Sequence, residues 1–254
     1  MGKSGADFLE LRDFIINDLK IYCPKVVRSY LAFVPLFDYL YHNPKANEKN
    51  RVLMKAYYYK SQLFNWYSAK TDGIINALHN NHIGKTIDEF PLKDICFYFS
   101  NTHRKEVTIT KNNILNPRLR YIILNLIYVE MFHASPFNVK FKGNEPHIDH
   151  IYPRTPLQRQ FQLAEEEINH IGNYRFVGAT DNIRKRAELP DSYFSRLKEN
   201  HIPIEKYLLC DPESQDPTKL KMTIYCYIDF RNRRRAEIYR IVDKVVNPEL
   251  RGDM

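Results

Sequence analysis

Residues 147–153 read His-Ile-Asp-His-Ile-Tyr-Pro, which places an acid, Asp149, directly before a histidine, His150. Further on, Gly172-Asn173 precedes the run Tyr174-Arg175-Phe176-Val177, and Asn182 precedes Arg184, Lys185 and Arg186. Hydrolysis of a phosphodiester needs a deprotonated water and relief of negative charge on the phosphate and leaving oxygen. A histidine serves as general base when one ring nitrogen faces the water and the other is held. One hard divalent cation stabilises the leaving oxygen and prefers oxygen ligands. An Asp together with an Asn amide oxygen suits magnesium, which keeps several waters. The sequence offers acid, base and later amides in the order such a site requires. Arg184, Lys185 and Arg186, with Arg154 just after Pro153, are cations that can hold a nucleic-acid backbone.

The set Asp149-His150-Ile151-x-Pro153, then Gly172-Asn173, then a basic-flanked Asn182, resembles the HNH (His-Me finger, ββα-metal) nuclease superfamily. Within it, the segment is similar to the C-terminal nuclease domain of GmrSD-type restriction enzymes, with Ile171 and Tyr174 where that family usually has Leu. The motif resemblance covers about 145–200, and residues 20–133 resemble more loosely the helical region that precedes that nuclease. The family's N-terminal nucleotide-hydrolysing half has an Asp-Gly-Gln-Gln-Arg-like signature, and no such run occurs in this sequence. The resemblance implies His150 as general base, Asp149 and Asn182 as the protein ligands of one magnesium ion (manganese can substitute), and Asn173 as the residue holding the loop that orients His150. It implies DNA as substrate, a role in restriction or anti-phage defence, and an NTP-hydrolysing GmrS-like domain or subunit as a possible partner. The alternative class is an inactive nucleic-acid-binding or sensing module with a relic HNH fold.

These residues need elements to position them. Asp149 and His150 are adjacent, so on a strand they face opposite sides, and side-by-side use requires a strand end or bend. A short strand near 145 is expected, then a long loop, a strand over 174–178, a helix from about 180 and a final helix over about 223–246. Before them, Phe8, Leu11, Ile15 and Leu19 recur at helical spacing within 7–22. Further helices are expected over 26–42, kinked or split at Pro35, and over 51–69. Asn116-Pro117 is a cap followed by a first-turn proline and opens a helix over 117–133. Pro136, Gly143, Pro146 and Pro153 mark a change of character. The expected fold is mainly α with a small ββα-metal core, α+β in class: a helical domain over 1–140 and an HNH domain with a C-terminal helix over 141–254.

An Asp-His pair among nine histidines is by itself usually a surface or core polar pair. The ordered set carries the reading, because each element has a separate job in one site. His147 shares a strand face with Asp149 and reads first as a neighbouring or exposed histidine. Arg231-Asn232-Arg233-Arg234-Arg235 surrounds much of a helix, so its arginines cannot all face one ligand. Tyr57-Tyr58-Tyr59 and Trp66 read as core, and Glu165-Glu166-Glu167 as a solvated face.

The chain has 254 residues and a formal charge of +8, a balance that suits a polyanionic partner. Its four cysteines form no Cys-x-x-Cys pair, which argues against a zinc knuckle or disulfide framework and for reduced thiols in the cytoplasm. The most apolar stretch, 121–132, contains Asn125 and Glu130 and is too short to span a bilayer, so no membrane association is expected.

Overall fold

The computed structural model describes residues 3–44, 46–85, 87–132, 147–178, 182–183, 185–199 and 223–248. The side chains of residues 3–7, 132, 197 and 198 are outside that description. The described chain is mainly helical with one small two-stranded antiparallel sheet, an α+β arrangement. It divides into two compact units, Met1–Asn113 with Val242–Met254, and Ile114–Ile241.

The first unit contains α1 (Lys3–Asp13), α2 (Phe33–His42), α3 (Glu48–Leu63), α4 (Thr71–Leu78) and α5 (Leu92–His103). Asn47 caps α3 by accepting from the Asn50 N–H. Pro35 neither kinks nor splits a helix: α2 begins at Phe33, so the proline stands in a first turn that needs no N–H from it. The tyrosine run and Trp66 are core. Trp66 stacks on Phe99 with ring centroids 4.1 Å apart, Tyr57 packs against Trp66 and Phe90, and the indole N–H donates to the Glu106 carbonyl. Lys60 is buried beside them, its ammonium donating to the Val107 carbonyl and, at 2.9 Å, to Asn247 Oδ1.

The second unit carries the segment of interest. Asn116 accepts from the Arg118 N–H and opens a short 3₁₀ turn that continues as α6 (Arg120–Phe132). Tyr121 and Tyr128 of α6 pack on Phe176. Next come β1 (His147–His150), α7 (Arg154–Phe161), α8 (Glu165–Ile168), β2 (Tyr174–Val177), α9 (Pro190–Glu199) and α10 (Tyr227–Val246). The stretch between the strands, expected as a long loop, contains α7 and α8. Ile151, Tyr152, Leu157, Ile168, Tyr193 and Tyr227 form the buried cluster beneath them. The expected boundary at 140/141 and Arg184 lie outside the described residues. No helix among the described residues is long and apolar enough to cross a membrane.

Candidate functional site

β1 and β2 pair with Asp149 opposite Arg175 and His150 opposite Tyr174. Strand alternation puts the first pair on one face of the ribbon and the second on the other. The acid and the base are therefore adjacent in sequence but belong to different faces.

On the His150 face, the imidazole lies against Tyr174 with ring centroids 5.0 Å apart, and Nε2 is 2.9 Å from Asn169 Oδ1. An amide oxygen only accepts, so Nε2 carries the proton and Nδ1 keeps its lone pair. Nδ1 makes no hydrogen bond among the described residues. Burial lowers the pKa of His150 below its usual 6.5, opposed by Asn169 and Asp149 and reinforced by Lys185 and Arg154. The ring is thus neutral at neutral pH, with Nε2 fixed and Nδ1 carrying the lone pair. Sequence reasoning takes Asn169, like His170, for a loop residue with no part in the site. Its one local signal is an Asn just after Ile168, at the end of α8, where the C-cap tolerates it.

Asn173 is fully buried and clamps the backbone that follows the histidine. Its Oδ1 accepts from Tyr152 N–H at 2.8 Å, and Nδ2 donates to the carbonyls of Tyr152 and Ile168, both at 3.1 Å. Its own carbonyl accepts from Ile151 N–H at 2.8 Å. The turn Ile171–Asn173 that presents it is held from two sides. His170 Nδ1 accepts from Gly172 N–H at 3.0 Å. That bond requires an unprotonated nitrogen, and burial, with Arg231 and Arg235, pushes the His170 pKa down to about 4. From α10, Arg234 donates to the Gly172 carbonyl at 3.1 Å and the Ile171 carbonyl at 3.4 Å. Tyr227 and Arg231 donate to the Glu167 carbonyl. A Cβ at Gly172 would overlap the backbone carbonyl of Arg231, so this position needs glycine for close approach.

The chain matches no protein-family model and no characterised protein.

On the opposite face, Asp149 is 8% exposed and its Oδ2 accepts from Arg175 Nε at 3.0 Å, Arg175 Nη2 at 2.9 Å and Lys185 Nζ at 2.9 Å. Lys185 also donates to the His150 carbonyl. Arg175 is buried with its guanidinium over Tyr193, 4.6 Å from the ring centroid. Lys185 is buried too, and burial lowers its pKa, with Asp149 opposing and Arg175 adding to the shift. A cation expected at the nucleic-acid surface is therefore committed to the interior, and sequence reasoning missed Arg175 altogether.

Asn182 is half-buried in a helical segment with Lys185; its N–H donates to the Gly178 carbonyl at 2.9 Å, and its side chain makes no hydrogen bond among the described residues. It is Lys185, not Asn182, that reaches Asp149. Arg186 is exposed, and Arg154 is exposed and paired with Glu165. His147 is exposed. The arginines of α10 split by face: Arg234 and Arg231 point inward to the carbonyls named above, while Arg233 is exposed and paired with Asp229.

The divalent cation implied by the resemblance does not fit Asp149 as it stands. The carboxylate is nearly enclosed, and one of its oxygens already serves two cationic side chains. Among the described residues, no group of three or more His, Cys, Asp or Glu could hold a metal ion.

Proposed function

We propose that this chain is an HNH-type endonuclease that hydrolyses DNA phosphodiesters, serving restriction or anti-phage defence, with His150 as its general base. The observation that carries the reading is the state of His150: Nε2 held by Asn169, Nδ1 without a hydrogen bond among the described residues, and the ring kept neutral by burial. In the proposed step, Nδ1 takes a proton from a water whose oxygen attacks phosphorus. The bond to the leaving oxygen breaks, and that oxygen keeps the electron pair and is protonated from solvent. Asn173 supports the step without touching substrate, by fixing residues 151–152 directly after the base. The antiparallel ribbon followed by helical residues at 182, 183 and 185 is compatible with a ββα core. Exposed Arg186, the +8 charge and Arg184 of the sequence support a polyanionic substrate.

A second reading has one specific observation in its favour. Asp149 is neutralised by Arg175 and Lys185, as it would be in an inactive nucleic-acid-binding module built on the same fold. Incubation of the purified chain with plasmid DNA and magnesium or manganese separates the two. The nuclease reading expects nicked or linear product from the wild type and none from His150→Ala. Intact plasmid under both metals, with DNA still bound, would establish the inactive module instead.

A further inference from the structure

We propose that Arg120, held on Tyr174, is the residue that grips a backbone phosphate of DNA on the His150 face of the ribbon. The inference rests on the nuclease reading for why DNA comes to this face, and it names the cation that meets the backbone there.

Two of the cations expected to hold the backbone are engaged elsewhere. Lys185 lies on Asp149, on the other face, and Arg154 pairs with Glu165. Arg120 arrives by a different route. Phe176 is two residues after Tyr174 and so on the same face of the ribbon, and Tyr121 and Tyr128 of α6 pack on Phe176. α6 therefore covers part of the His150 face, and its first residue, Arg120, comes to Tyr174. The guanidinium lies over the Tyr174 ring, 5.7 Å from the centroid, and hydrogen-bonds the hydroxyl. The same ring packs against His150 with centroids 5.0 Å apart, so one side chain carries cation and base together. Tyr174 stands where the GmrSD-type nucleases usually have Leu, so its hydroxyl is a feature of this chain.

The charge on Arg120 is left uncompensated by its neighbours. Burial raises the pKa of Tyr174, with Arg120 opposing, so the phenol keeps its proton and brings no negative charge. No carboxylate pairs with Arg120 among the described residues. Arg120 is half-buried, and its planar fork has five N–H donors, more than a single hydroxyl accepts. A phosphate, with its charge and its paired free oxygens, is the partner that such a fork fits.

The test is binding of the full chain to duplex DNA, followed by fluorescence anisotropy across a salt series without added metal. Each phosphate contact adds about 0.9 to the slope of log affinity against log salt concentration. Arg120→Gln is expected to flatten the slope by that amount, equally on two duplexes of unrelated sequence, because phosphate contacts do not read bases. Arg120→Lys keeps the charge and should keep the wild-type slope. An unchanged slope in Arg120→Gln, or one flattened as far in Arg120→Lys, would mean that the arginine only packs on Tyr174 and would overturn the proposal. Failure of the wild type to bind DNA would overturn it too. Should Arg120→Gln fail to fold, the wild type decides alone. Modification of Arg120 by phenylglyoxal, followed by mass spectrometry, should drop at saturating DNA, and unchanged modification would overturn the proposal. Plasmid cleavage with magnesium is scored separately. A flattened slope without cleavage by the wild type would refute the nuclease reading and leave this inference standing; cleavage with an unchanged slope in Arg120→Gln would do the reverse.

Discussion

Replacing Asn173 by alanine should unfasten the candidate site without touching the proposed base. The asparagine is fully buried and its side chain makes three hydrogen bonds, one from Tyr152 N–H and one each to the carbonyls of Tyr152 and Ile168. Alanine removes all three bonds, although the Ile168 carbonyl keeps the Tyr227 hydroxyl at 3.5 Å. A hydrogen bond contributes about 0.5–1.5 kcal/mol net, so losing three costs roughly 3 kcal/mol. That is a large share of the roughly 5–15 kcal/mol that stabilises a domain. The only tryptophan, Trp66, belongs to the other compact unit, so its fluorescence is the wrong probe. Amide hydrogen exchange of β1 and Ile151 is the right one, and protection there should fall by about two orders of magnitude. Asn173→Asp keeps an acceptor for Tyr152 N–H but turns an oxygen toward two carbonyls, and should do at least as much damage at neutral pH. A protection loss below ten-fold in Asn173→Ala would show that the clamp is not what holds residues 151–152, and the positioning argument would fall with it.

Other consequences are as direct. His150→Ala should lose cleavage while DNA affinity, measured by fluorescence anisotropy, stays within about two-fold, because a base acts in the transition state. The acidic limb of the cleavage profile should have its midpoint below 6.5, because burial disfavours the imidazolium of His150; a midpoint above 6.5 would contradict that environment. His170 has a folded pKa lowered from 6.5 to about 4, so its contribution to stability is complete above 6.5 and drains away as pH falls toward 4. Hydrogen exchange of the 170–173 turn at pH 7 and 4.5 should show this, and His170→Gln should flatten the dependence. Gly172→Ala should destabilise the second unit by about 1–3 kcal/mol or more, since the Arg231 carbonyl that its methyl meets is backbone and cannot rotate aside; an unchanged thermal transition would argue against that close approach.

Much of the second unit is legible in the sequence because its elements announce themselves locally. The run Tyr174–Val177 forms β2 inside the expected 174–178, and Asn116-Pro117 opens a helical stretch at the expected place. The final helix spans Tyr227–Val246 after a 3₁₀ turn that starts at Ile224. What escapes is short or non-local. α7 and α8 have eight and four residues, too few turns for a hydrophobic period to stand out, and their apolar side chains show their purpose only when Leu157 and Ile168 meet Tyr227. Asn173 is legible through its place after Gly172, whereas Asn169 is a polar residue at a helix end until the fold brings it to His150. Lys185 misleads for a related reason. Between two arginines it reads as surface charge, and only the register that sets Arg175 against Asp149 creates the buried acid that draws it inward.

The bracing of the 165–173 wall by α10 has a consequence for synthesis. Tyr227, Arg231 and Arg234 reach back across roughly sixty residues of chain to the carbonyls of Glu167 and Gly172. A ribosome delivers His150, Asn169 and Asn173 well before it delivers their support, and contacts this distant in sequence form only once both ends exist. A nascent or C-terminally shortened chain would carry every residue proposed for the chemistry, yet lack the struts that hold them in register. An ordered 165–173 wall would then appear only after α10 has left the ribosome, so a chain halted before Tyr227 would expose those carbonyls to solvent.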